Sequence, residues 1–146
     1  MPSLPESIWR RRLESEFEEM SESSIDFKAN PEKTEYTVRF SKKALQKKGS
    51  SITPIFNHLV KIILKRDFPY PNSVEVFWLS PIFHPNIAPD GRVCIQLLNK
   101  WSENQTVKSI VLGLEQLLDN PNPLSPLNRE AAEYFSNPKP KVVGNQ

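Results

Sequence analysis

One cysteine, Cys94, stands eight residues beyond the asparagine of a His84-Pro85-Asn86 triplet. A thiol and an imidazole so close together are the parts of nucleophilic catalysis, in which an imidazole takes the thiol proton and the thiolate attacks. Two arrangements are open at this level. His84 either pairs with Cys94 as its base, with a third group orienting the ring, or has its ring held by local backbone bonds between Phe83 and Pro85. The stretch Ser80–Arg92 carries three prolines and a Pro89-Asp90-Gly91 turn. It is expected to be irregular yet stiff, the kind of loop on which reacting groups are held.

Composition narrows the alternatives. A lone cysteine excludes an internal disulfide framework, and with only His58 and His84 as histidines a structural zinc site is not expected. No cofactor is expected. A net charge of +2 with both signs interspersed argues against a nucleic-acid partner. The apolar stretches are short, Val60–Leu64 being interrupted by Lys61, and the N-terminus has no apolar signal core. No membrane association is therefore expected, and the location is read as cytoplasmic, or nuclear too if the chain is eukaryotic. With 146 residues, 38% hydrophobic and 25% charged, the chain reads as one soluble domain. That domain is placed over residues 1–137, with a loose tail over residues 138–146.

The elements that must position the reactive loop follow from periodicity. Trp9, Leu13, Phe17 and Met20 form one helical stripe. Arg10, Arg11 and Arg12 fall mostly off that stripe beside Glu14, Glu16, Glu18 and Glu19, as a solvated face would. Period-two segments follow at Asp26–Lys28, Glu35–Ser41, His58–Leu64 and Val74–Trp78. Four successive strands without intervening helices predict an α+β fold, an antiparallel meander with helices segregated to one side. Lys42–Ser51, with Lys42, Lys43, Lys47 and Lys48, reads as either a solvated loop or a docking patch for an acidic partner. Val107, Ile110, Val111, Leu114, Leu117 and Leu118 define a second helix, N-capped by Thr106 and stopped at Asn120-Pro121. Asn128 is positioned to cap a short third helix through Phe135.

Phe83-His84-Pro85-Asn86-Ile87, the Gly91 turn and Val93-Cys94-Ile95 together resemble the active-site segment of ubiquitin-conjugating enzymes. Trp101, the helix ending Leu117-Leu118, Pro121-Asn122-Pro123, Pro126-Leu127-Asn128 and the upstream Asp67-Phe68-Pro69-Tyr70-Pro71 fit the same pattern in order. The resemblance is specific from Asp67 to Tyr134 and diffuse before it. It implies a helix, a four-stranded meander, an active-site loop and further helices. Cys94 would accept a ubiquitin or ubiquitin-like protein as a thioester from an activating enzyme, then pass it to a lysine amine of a protein substrate. Asn86 would order the loop or stabilise the oxyanion, and His84 would shape the loop. Ser125 either lowers the pKa of the incoming lysine or begins a turn. Arg10, Arg11 and Arg12 would face the activating enzyme. Tyr70, Glu103 and Asn104 would meet a RING-type ligase.

Departures from the family pattern bear on partners. The Ser41–Phe56 segment is longer than the usual turn and lacks its Gly-Pro start and Gly-Gly end. Ser102-Glu103-Asn104 replaces Ser-Pro-Ala, the interval from Cys94 to Trp101 is one residue short, and the family's final helix is expected to be missing. Two rival functions are weaker. An inactive binding module of the same fold would lack the cysteine, and a cysteine hydrolase based on His84 would need an orienting residue that nothing marks.

Overall fold

Apolar side chains recurring every three to four residues share one helix face, and alternate ones share one sheet face. Both patterns are realised in the computed structural model, which describes residues 2–93, 104–122, 124 and 126–136. The elements are α1 (Glu6–Glu22), β1 (Asp26–Ala29), β2 (Glu35–Lys48), β3 (Ser51–Leu64), β4 (Val74–Trp78), α2 (Val107–Asp119) and α3 (Arg129–Ser136). The strands form one antiparallel sheet in the order β1-β2-β3-β4. This is the α+β meander expected from the sequence. The expectation about a missing final helix, and the tail, fall on residues 137–146, outside the described residues.

Trp9, Leu13 and Met20 of α1, Val38, Val60, Ile62 and Val76 of the sheet, and Ile110, Val111 and Leu114 of α2 share one core. Thr106 caps α2 as expected. Its Oγ1 accepts the Ser109 N–H at 3.1 Å while Ser109 Oγ accepts the Thr106 N–H at 2.9 Å, a reciprocal capping box. Asn128 Oδ1 likewise accepts the Ala131 N–H at the start of α3.

The segment Lys42–Ser51 is not a loop. β2 and β3 run on as a hairpin to the pair Lys48↔Ser51, closed by Gly49 and Ser50. Gly49 lies at φ +60°, the backbone that the first position of a type II′ hairpin turn requires. The poor strand propensity of the lysines is overcome by what lies opposite, Ile55 facing Ala44, Thr53 facing Gln46 and Ile52 facing Lys47. One extra residue in β2 between Ser41 and Ala44 makes a bulge, which bends the strand there. Lys42 and Lys47 are paired with Asp119 (2.8 Å) and Glu130 (3.0 Å).

Glu16 lies on the buried side of α1, only 3% exposed. One carboxylate oxygen accepts the Val107 N–H that opens α2, and the other accepts Arg12 Nε, both at 2.8 Å. The Arg12 guanidinium also donates to Gln105 O at 2.9 Å and stacks 4.9 Å from the Phe68 ring centre. Burial pushes the Glu16 carboxyl pKa up, opposed by the Val107 N–H and by Arg12. Glu16→Ala leaves a half-buried guanidinium and a buried amide without their partner. It is expected to lower stability by about 3 kcal/mol in urea unfolding.

Candidate active site

The chain that leads to Cys94 is fastened at nearly every backbone group. Trp78 N–H at the end of β4 donates to Gly91 O at 2.7 Å, and Val93 N–H donates to Val76 O at 3.1 Å. Residues 91–93 thus lie along β4 up to the position before the cysteine. The turn between them and the His84 segment is closed by Gly91 N–H to Ala88 O and Ala88 N–H to Arg92 O, both 2.8 Å. Gly91 sits at φ +98°, and a Cβ there would press into the Trp78 carbonyl. Only glycine meets both conditions. Asp90 completes the turn by accepting the Arg92 N–H, and the hydrogen bonds from Arg92 hold its carboxyl below the usual range.

His84, Pro85 and Asn86 are all buried, each tied to a different part of the C-terminal half. His84 Nδ1 accepts the Asn86 N–H at 3.0 Å, so the ring proton resides on Nε2, which donates to Leu117 O of α2 at 2.8 Å. Pro85 O accepts the Leu127 and Asn128 N–H groups. The Asn86 side chain makes a reciprocal pair with the Asn122 backbone, Nδ2 donating to its O and Oδ1 accepting its N–H, both at 2.8 Å. Both imidazole nitrogens are therefore committed, and His84 cannot accept a thiol proton without giving up one of these bonds. His58 is engaged in the same way, accepting from Trp78 Nε1 and bonding Lys42 O at 2.7 Å.

Burial lowers the His84 pKa to about 4 from the ordinary 6.5, against the opposing bond to Leu117. The unfolded chain therefore binds the proton more tightly. Stability from this group is complete above pH 6.5 and is lost as pH falls to about 4, below which both states are protonated. The loss expected in urea unfolding across that window is about 3 kcal/mol, with His58 adding to it in the same direction. His84→Gln is expected to be less stable at pH 7 but flatter between pH 6.5 and 4.

The other site residues are divided by the structure. Cys94, Glu103 and Ser125 lie outside the described residues. Arg10 and Arg11 are exposed on α1, Arg10 paired with Glu6, whereas Arg12 is turned inward to Glu16 and Gln105. Tyr70 is half-buried rather than fully exposed, in a turn whose Phe68-Pro69 bond is cis. Asn104 is exposed, in the segment held by Arg12. Glu16 and Asn122 complete the framework, and sequence reasoning did not single out either. Among the described residues no cluster of His, Cys, Asp and Glu could hold a metal ion.

A sheet-and-helix frame presenting a rigid His-Pro-Asn segment beside a strand that leads to one cysteine defines a class. The model of the ubiquitin-conjugating enzyme family matches residues 12–143 of the chain. Ubiquitin-conjugating enzyme E2 2 of Kluyveromyces lactis is 32% identical over 136 residues, 92% of this chain and 81% of that one. The protein of that name from Candida glabrata is also 32% identical, over 92% of this chain and 80% of its own. A ubiquitin conjugating enzyme E2 domain from Toxoplasma gondii has the same fold. It superposes with a TM-score of 0.67 at 20% identity, covering 86% of this chain and 85% of its own. The chain belongs to the ubiquitin-conjugating enzyme family, a class of enzymes that transfer ubiquitin.

Proposed function

We propose that Cys94 accepts ubiquitin as a thioester from an activating enzyme and passes it to a lysine amine. The observation that carries this is the clamped path from His84 to Val93, which ends on the residue before the cysteine. Restraint of residues 84–93 leaves little orientational freedom to lose in the segment that presents the nucleophile. Asn86 keeps the segment in place through Asn122 and is assigned to loop order or to the oxyanion. His84 shapes the loop as a neutral ring. Ser125 is assigned to the lysine's approach.

Arg10 and Arg11 form the face offered to the activating enzyme, with Arg12 acting from beneath them. Tyr70, Glu103 and Asn104 are assigned to a RING-type ligase, and the work is placed in the cytoplasm. The carboxylate of Glu103 favours a ligase groove carrying a basic residue. Incubation with ubiquitin, an activating enzyme and ATP, resolved on a non-reducing gel, tests the central reading. An adduct removed by a thiol reductant is expected; its absence with every activating enzyme tried would overturn the assignment. Tyr70→Ala is expected to remove ligase-stimulated discharge and leave loading unchanged. A fall in stability and loading together would instead make Tyr70 a packing residue of its turn.

A further inference from the structure

The active-site segment is held from a second direction, by the hairpin that extends β2 and β3. β1 pairs with β2 only as far as Arg39, and β4 pairs with β3 only from Val60. Beyond those points the two long strands support each other and whatever they touch. What they touch is the reactive loop. Leu45 O accepts the Phe83 N–H at 2.7 Å, one residue before His84. The bulge that bends the hairpin is pinned by His58, which bonds Lys42 O. The Lys42–Asp119 and Lys47–Glu130 pairs also fasten the hairpin to the end of α2 and to α3.

The Phe83 ring lies 5.8 Å from Tyr134 and 6.5 Å from Phe135, and the His84 ring lies 5.9 Å from Phe135. The hairpin and α3 thus share the task of enclosing Phe83 and His84. A cleft of about 250 Å³ separates them, lined by Leu45, Phe83, His84, Leu118 and Phe135 among others. A solvated loop of the same length could supply none of these contacts in fixed geometry.

We propose that the extended β2–β3 hairpin is a positioning element of the transfer reaction, holding Phe83 from one side while α2 holds His84 from another. The proposal rests on the reading of Cys94 and Asn86 given above. The chain forms no covalent bond through the hairpin. Its effect reaches the reaction only through the placement of the Phe83–Asn86 backbone. Small displacements of a reacting frame cost rate out of proportion to their size.

The test shortens the hairpin, replacing Leu45–Pro54 with Asn-Gly so that Ala44 and Ile55 flank a two-residue turn. Loading by the activating enzyme is expected to stay within about twofold of the parent. Discharge at saturating free lysine is expected to fall by about five- to tenfold, with the half-saturating lysine concentration unchanged and the Phe83 amide exchanging faster. A discharge rate within about twofold of the parent, with Phe83 protection lost, would overturn the proposal. Failure of the parent itself to form a reductant-sensitive adduct would overturn the thioester reading instead. Should the shortened chain not fold, charge reversal decides. Lys47→Glu and Glu130→Lys should each slow discharge by about two- to threefold and together restore it. Single reversals without effect, or a double reversal without recovery, would refute the proposal.

Discussion

Cys94→Ala is expected to form no ubiquitin adduct at all, and Cys94→Ser to form one that a thiol reductant leaves intact. Both follow from the chemistry of the acceptor. A thiolate is a good nucleophile and a good leaving group, so its ester exchanges readily, whereas an alkoxide is a poor leaving group and its ester persists. The hydrogen bonds of His84 and His58 add a further expectation. With all four ring nitrogens engaged, neither imidazole is available to draw off the thiol proton. A histidine-paired thiol ionises well below the ordinary range, so alkylation of Cys94 against pH is expected to show no inflection below neutrality. An inflection well below neutrality would revive the pairing of Cys94 with a histidine.

The second large effect is expected at Asn86. Asn86→Ala should load normally yet discharge to free lysine at least about tenfold more slowly, the scale of one lost hydrogen bond at a developing oxyanion or in the frame around it. It removes both bonds to the Asn122 backbone and leaves a part-buried carbonyl and N–H without them. Single-turnover discharge at equal loading measures the effect. Asn86→Asp sets the donated bonds against the accepted one. Its carboxylate can still accept the Asn122 N–H but cannot donate to the Asn122 carbonyl or to an oxyanion. Equal losses in the two variants point to a donated bond, to Asn122 or to the oxyanion; a much milder loss in the aspartate variant points to the bond accepted from the Asn122 N–H. An unchanged rate in both would leave Asn86 as a residue of the fold alone.

Local signals in the sequence were enough for most of the framework. The stripe from Trp9 to Met20, Thr106 before an apolar run, Asn120-Pro121 after it and Asn128 before α3 each act within a turn of their own position. The hairpin was not legible, because nothing in Lys42–Lys48 favours a strand without Ile52–Ile55 opposite, and that pairing exists only in three dimensions. Gly49 was the one local sign of a turn. Glu16 was hidden differently. It sits among acidic neighbours that do face water, yet it follows Leu13 by three residues and precedes Met20 by four, which places it on the apolar stripe. That spacing was the available signal. Asn86 was legible from the family pattern, but its partner is backbone, and no side chain marks Asn122 as the group it holds.

The bond from Glu16 to Val107 spans 91 positions of the chain. A carboxylate surrenders its water only when both helices are already docked, and the loop it closes is entropically expensive to form early. The contact is therefore expected to form late in folding and to contribute little to the barrier met from the unfolded side. Its loss should accelerate unfolding more than it slows folding. Glu16→Ala is in this way expected to shorten the lifetime of each folded molecule.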